Sequence, residues 1–310
     1  MKSINEDIFN PFNSKKLFGL NSYFNDLVNL IEKNKFPKVL LLSGDKGIGK
    51  FTLSFHLINY YFSINTNHPY DTENFSINSN DKFYKNVLSN TQENFFHLEN
   101  INKKTSIEDI REIKNKYNKP PLNNLPRFTI IDDVELLNLN AVNSILKLIE
   151  EPLKSDYFIL IFNKREKIIE TLKSRSIEIK FFLSQKQKDI IYKNLLETHK
   201  ISTNMPENFK LFSTPGQLLR FTGIYEEISN DINSPLFDIA SILLNKYKKT
   251  KNYIYLDFLN LIINKYFVDN RDRTISNTIR SINSMINILG LIKQYRKFNL
   301  SNSSVLEFLK

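Results

Sequence analysis

Short apolar runs alternate with amphipathic stretches through the first 180 residues of the chain. The runs that predict buried strands are residues 38–42, 95–98, 127–133, 157–162 and 176–182. Between them, apolar residues recur every three to four positions in residues 21–33, 52–62 and 140–151, which is typical of helices with one buried face. Strands that alternate with helices predict a parallel sheet covered by helices on both faces.

Two segments of this region depart from the alternation. Residues 65–94 are rich in Asn, Ser and Asp, and they predict a surface excursion with at most a short helix near residues 81–88. Further on, Ser106-Ile107-Glu108-Asp109 has the form of a capping box, which predicts a helix that ends before Pro120-Pro121.

The pattern changes near Phe182, beyond which nearly every stretch has a helical period. Helices are predicted for residues 184–198, 216–230, 235–249, 253–267 and 277–298. We therefore predict an α/β domain over residues 1–182, a small helical domain over residues 183–230 and an all-helical domain over residues 231–310.

The composition narrows the class of protein. The chain has no apolar run long enough to span a membrane and no signal-peptide pattern, so we expect a soluble cytoplasmic protein. It has no cysteine, which excludes disulfides and thiolate zinc sites. Its four histidines are scattered without ligand spacing, so no metal site is expected.

The net charge of +10 has two interpretations that stay open. The last 80 residues hold twelve Lys and Arg against six Asp and Glu, and such a surface can favour phosphate backbones. Lysine-rich faces are also common solvated surfaces, and an abundance of Asn, Lys, Ile and Phe indicates an AT-rich genome.

Candidate chemistry begins with a cluster of glycines, since three of the seven fall within six positions: Gly44, Gly47 and Gly49. They lie between a predicted strand and a predicted helix, and Lys50 follows. This arrangement is typical of a phosphate-binding P-loop, in which backbone N–H groups and a lysine cradle phosphates. A tight turn that binds no nucleotide is the alternative.

The position after Lys50 departs from this motif. P-loops place Ser or Thr there to hold Mg²⁺, but this chain has Phe51, with Thr52 one position later. A helical residue displaced by one is rotated by about 100°, so Thr52 is not expected to replace the missing ligand.

Asp132 and Asp133 end an apolar strand, where a magnesium-side carboxylate is expected. Ligands of parallel α/β sheets bind beyond the carboxyl ends of the strands, so Asp132 should face the same crevice as Lys50. In ATPases the next residue is usually Glu. Asp133 is shorter by one methylene, which displaces the carboxylate by roughly 1 to 1.5 Å. A displacement of about 1 Å can cost around a hundredfold in rate. The alternative role of the pair is to cap the next turn.

Residues 130–138 (IIDDVELLN) and 140–152 (NAVNSILKLIEEP) resemble the clamp-loader AAA+ family of bacterial DNA polymerase III. Residues 168–176 resemble its Ser-Arg-Cys segment, with Ser176 in place of the cysteine. The likeness covers about residues 7–230, and it is strongest to the delta-prime group, particularly the alphaproteobacterial type.

The resemblance implies roles for single residues. Arg175 matches the arginine finger that loader subunits present in trans to a neighbour's ATP site, and Asn163 lies near the sensor-1 position. Gln217 stands where ATP-hydrolysing relatives carry arginine. The zinc-binding cysteines of many relatives are absent, so no zinc is expected.

The family also implies an architecture and partners. Residues 1–182 would form an AAA+ P-loop domain, residues 183–230 a helical lid and residues 231–310 a collar for oligomerisation. Partners would be the gamma/tau and delta subunits of a hetero-pentamer, and through them the sliding clamp and primed DNA. Bound ATP would be weak or vestigial. The alternatives are an ATP-hydrolysing gamma/tau-like motor subunit, another AAA+ ATPase, and a free-standing nucleic-acid-binding protein.

Overall fold

The computed structural model describes residues 9–98, 115, 117, 125–203, 205–270, 275–298 and 300–309. The chain divides near residue 194 into two compact units, Asn5–Asn194 and Leu195–Lys310. The helix predicted to begin at Ser106 lies outside the described residues.

The first unit is built on a five-stranded sheet in the order β2-β3-β4-β1-β5. Its strands are β1 (Val39–Ser43), β2 (Phe95–Leu98), β3 (Arg127–Ile131), β4 (Asp156–Phe162) and β5 (Ile177–Lys180). Every pair is parallel, with β1 and β3 on either side of β4. The predicted parallel sheet is therefore confirmed, with each strand within a few residues of its predicted bounds.

The central strands β1 and β3 are buried along their whole length, as expected for parallel strands covered on both faces. The α-helices of this unit whose bounds the structure describes are α1 (Asn21–Glu32), α2 (Lys50–Ser63), α3 (Lys82–Leu88), α4 (Leu139–Glu150), α5 (Glu170–Ser174) and α6 (Gln185–His199), which ends beyond residue 194. Helix α4 begins where the side chain of Asn138 accepts a hydrogen bond from the N–H of Ala141, and its apolar face packs on the sheet. The short helix α5 was not predicted.

The polar segment of residues 65–94 contains helix α3 as predicted, but it is not merely a surface excursion. Its aromatic side chains reach back to α1 and α2: Tyr70 stacks on Phe24 at 5.0 Å between ring centroids, and Phe83 stacks on Phe62 at 4.4 Å. The prediction was wrong here because a few buried aromatic residues determine how the segment packs, although Asn and Ser dominate its composition.

The described part of the second unit is helical. Its helices are α7 (Pro215–Glu227), α8 (Leu236–Thr250), α9 (Ile254–Asp269), α10 (Ile275–Phe298) and α11 (Asn302–Leu306). Phe258 of α9 packs against Phe221 of α7, with ring centroids 5.2 Å apart. Among the described residues, no helix is long and apolar enough to cross a bilayer. The separation of a lid from a collar at residue 230 stays a prediction.

Candidate functional site

The loop of residues 44–50, called the phosphate loop below, connects β1 to α2. Gly47 and Gly49 adopt left-handed backbone angles, with φ of 83° and 96°, which side chains rarely allow. At Gly44, an added Cβ would lie 2.7 Å from Cδ1 of Ile48 and 3.0 Å from the carbonyl oxygen of Phe181. The loop therefore requires glycine for its conformation and for close packing.

Lys50 begins helix α2 and is 2 % exposed. Its Nζ donates hydrogen bonds of 2.8 Å to the carbonyl oxygens of Gly44 and Asp45. Burial lowers the pKa of Lys50 to about 8, against the opposing effect of nearby carboxylates, of which Asp132 is the foremost. The ammonium group thus lies within the curve of the phosphate loop.

Asp132 and Asp133 follow β3, and Asn163 follows the neighbouring β4. The Asn163 side-chain amide donates to Oδ1 of Asp132 at 2.9 Å and to Oδ1 of Asp133 at 2.7 Å. Burial and the charge of Asp133 raise the pKa of Asp132. Asp133 has left-handed backbone angles, with φ 49° and ψ 46°. The structure therefore brings these three predicted residues together at the carboxyl edge of the sheet.

Two cations that the sequence analysis did not single out complete this cluster. Nζ of Lys46 lies 2.9 Å from Oδ2 of Asp133, and Nη1 of Arg165 lies 3.7 Å from the same oxygen. Burial would raise the pKa of Asp133, but the two cations and the amide of Asn163 outweigh it and lower that pKa. The Lys46 contact ties the phosphate loop to the end of β3.

Glu135 was also missed by the sequence analysis. Its buried carboxylate accepts hydrogen bonds from the backbone N–H groups of Asn163 at 3.1 Å and Arg165 at 3.0 Å. Burial raises the pKa of Glu135. These contacts fix the segment after β4 against the segment after β3, so Glu135 positions Asn163. A third acidic residue within four positions was the only signal in the sequence.

Phe51 points into an aromatic cluster. Its ring is 8 % exposed and lies edge-on to two others, with its centroid 5.2 Å from that of Phe12 and 4.6 Å from that of His97. Thr52, the next residue along α2, is half-buried.

Arg175 lies apart from the phosphate loop and the acidic pair, at the C-terminal end of α5. Its guanidinium pairs with Oε1 of Glu150 at 2.8 Å and donates to the carbonyl oxygen of Thr171 at 3.2 Å. The strand that follows, β5, begins at Ile177 beside Leu40, near the start of β1. The phosphate loop follows the carboxyl end of β1. Arg175 therefore lies near the amino ends of the parallel strands, and the phosphate loop lies at their carboxyl ends.

Gln217 belongs to the second unit, where it caps helix α7. Its Oε1 accepts hydrogen bonds of 3.0 Å from both the backbone N–H and the hydroxyl of Thr214. This is one half of a capping box, so the local role of Gln217 is to begin the helix.

The glycine loop, its lysine and the acidic pair meet at the carboxyl edge of a parallel sheet, which defines a P-loop α/β protein. Within that class, residues 19–185 match the family described as "DNA polymerase III, delta subunit". Because the match covers more than half of the 310 residues, the chain belongs to this family.

Individual relatives agree with this assignment. The chain is 24 % identical to DNA polymerase III subunit gamma/tau of Mycoplasma genitalium, over 76 % of this chain and 38 % of the relative. It is 23 % identical to subunit delta' of Buchnera aphidicola subsp. Schizaphis graminum, over 88 % of this chain and 95 % of the relative. The chain spans less than half the length of the first three curated relatives it matches. The alphaproteobacterial type stays a prediction.

Proposed function

We propose that the chain is the delta-prime subunit of a bacterial clamp loader. It completes an AAA+ ring with gamma/tau and delta subunits and contributes Arg175 in trans to a neighbour's ATP site. The assembled loader then places the sliding clamp on primed DNA. The observation that carries the proposal is the position of Arg175, which lies at the edge of the sheet opposite its own phosphate loop. An arginine placed there is suited to a neighbouring subunit rather than to its own nucleotide.

The chemistry of Arg175 supports this role. A guanidinium is permanently charged, and its planar fork can stabilise charge that develops on a transferred phosphate. The side chains of Arg175 and Glu150 are 37 % and 45 % exposed. An ion pair this exposed contributes about 0–1 kcal/mol, so Arg175 can leave Glu150 at little cost when a phosphate is presented.

We further propose that the chain's own ATP site is weak or vestigial. Gly44, Gly47, Gly49 and Lys50 retain the shape of a phosphate cradle. By contrast, Phe51 is buried among aromatic rings and Gln217 serves as a helix cap. Asp133 is the shorter acid in place of the expected Glu, and it is already bound to Lys46. The chain should therefore bind ATP weakly without hydrolysing it.

The partner surface is proposed to lie in the helical collar, residues 231–310. On α10, Ile279, Ile282 and Ile286 are 54 %, 36 % and 56 % exposed. Their spacing of three and four residues puts them on one face of the helix. Such an exposed apolar stripe indicates a protein partner, which here is a neighbouring loader subunit.

The proposal is tested with Arg175→Ala and Lys50→Ala, each in a loader reconstituted from this organism's own subunits. Arg175→Ala should preserve assembly and lower DNA-stimulated ATP hydrolysis. A finger in trans is worth about 10³ to 10⁵ in rate at one site, and the whole complex loses less because it has several sites. Arg175→Lys should not restore the rate, since an ammonium lacks the bidentate fork. The exposed Lys173→Ala on the same helix is the matched control.

The gamma/tau-like motor remains the second candidate, because Lys50, Asp132 and Asn163 keep a P-loop arrangement. Its prediction is the reverse. Lys50→Ala would then abolish much of the hydrolysis by the complex, and Arg175→Ala would have no effect. That result would refute the delta-prime assignment.

A further inference from the structure

The family of P-loop proteins implies a magnesium ion, and the residues of this chain do not fit it. The protein ligands expected are a hydroxyl directly after the loop lysine and a carboxylate after β3. Asp132 supplies the carboxylate, but the hydroxyl is missing. The position after the lysine holds the ring of Phe51, which packs against Phe12 and His97. Mg²⁺ requires oxygen ligands in near-octahedral geometry, and a phenyl ring supplies none.

Thr52 does not replace the missing ligand. It lies one residue further along α2, so its side chain is rotated by about 100° from the direction of Phe51. A magnesium ligand set built on α2 is therefore incomplete in this chain.

Two side-chain cations contact the second acid of the pair, Asp133. Lys46 and Arg165 lie 2.9 Å and 3.7 Å from the same carboxylate oxygen of Asp133. Lys46 belongs to the phosphate loop, and its side chain is 27 % exposed, so it is accessible to a ligand at the loop. Its positive charge can therefore attract a phosphate oxygen as well as the carboxylate of Asp133. With Lys50, three fixed positive charges lie at or beside the phosphate loop.

We propose that the phosphate loop binds a nucleotide polyphosphate without magnesium, with the phosphate charge met by Lys46, Lys50 and Arg165. This rests on the proposed function, which makes the loop a weak nucleotide site. Charge-assisted hydrogen bonds from lysine and arginine to phosphate are roughly twice as strong as neutral ones. Such a site would hold nucleotide without preparing it for hydrolysis.

The test titrates the full chain with fluorescent mant-ATP, once in EDTA and once in excess MgCl₂, with unlabelled ATP as competitor. The Kd should be no tighter with magnesium than without it. Lys46→Ala should weaken metal-free binding by about tenfold, roughly the loss of one charge-assisted hydrogen bond. Lys82→Ala, an exposed lysine on α3, should leave the Kd unchanged. Phe51→Thr should create a site at which magnesium tightens binding by about tenfold or more.

Two results would overturn the inference. One is that magnesium tightens the binding of mant-ATP to the native chain by about tenfold or more. The other is no binding in either buffer, which would make the loop purely structural. Neither result touches the arginine-finger proposal, which the Arg175→Ala loader experiment decides separately. If Phe51→Thr does not fold, the comparison of the Kd of the native chain in EDTA and in MgCl₂ is sufficient to decide.

Discussion

The aromatic cluster at Phe51 contains a buried histidine, His97, that should make the stability of the protein depend on pH. His97 lies between Phe12 and Phe51, and its Nε2 has no hydrogen-bond partner among the described residues. Burial lowers the pKa of His97 from 6.5 to about 4. Between these values the unfolded chain binds a proton that the folded chain excludes. The free energy of unfolding should therefore fall as the pH drops from about 6.5 towards 4, by at most about 3 kcal/mol from this residue.

His97→Phe removes this contribution and keeps an aromatic ring in the cluster. We expect the free energy of unfolding of this variant to change less between pH 7 and pH 4.5 than that of the native chain, in urea titrations followed by circular dichroism. His68→Phe, at an exposed position, should retain the native pH dependence. An unchanged pH dependence in His97→Phe would show that His97 is not held neutral in the folded state.

Sequence motifs predicted some residues of the candidate site, and the others came to light only in the folded sheet. Gly44, Lys50 and Asp132 could be predicted because each follows a strand in a recognisable local order. Lys46 and Arg165 could not, because their contact with Asp133 depends on β3 lying next to β4 and one strand away from β1. No local pattern indicates that adjacency. The same holds for Glu135, which meets backbone N–H groups some thirty residues further along the chain.

Among the elements, α10 carries a prediction about assembly. Ile282→Asp with Ile286→Asp places charge on the exposed apolar stripe, at side chains that are 36 % and 56 % exposed. The double variant should keep its helical circular dichroism and fail to co-purify with the other loader subunits. The matched control is Asn283→Asp with Asn287→Asp, which adds the same charge to exposed polar positions of the same helix. Normal assembly of the isoleucine variant would remove α10 from the interface.

The strands of the first unit were easier to predict from the sequence than its short helix and the packing of its polar segment. The approximate bounds of β1 and β3 could be predicted because most residues of a fully buried parallel strand are apolar. Helix α5 and the packing of residues 65–94 could not. A helix of five residues is too short to show a period, and the aromatic contacts of Tyr70 and Phe83 join positions far apart in the chain.

The arrangement of the first unit as a whole places the phosphate loop and the proposed arginine finger at opposite ends of β1. Its phosphate loop follows the carboxyl end of β1, whereas Arg175 precedes β5 beside the start of β1. Because β1 is fully buried between these two groups, we expect that one chain does not bring both of them to one nucleotide. Under the proposed function, hydrolysis that uses Arg175 therefore takes place in a second subunit.

This separation predicts that repair of the phosphate loop does not create an ATPase. In Phe51→Thr with Asp133→Glu, the expected hydroxyl and the longer acid return to the motif. The isolated variant should still release phosphate at the background rate of the native chain, because no arginine finger reaches its nucleotide. Steady-state phosphate release from the isolated chain measures this, with nucleotide binding confirmed by mant-ATP. Turnover of about 1 s⁻¹ or more, within the range of ordinary enzymes, would show that one chain holds a complete site. Arg175 would then not be the missing group.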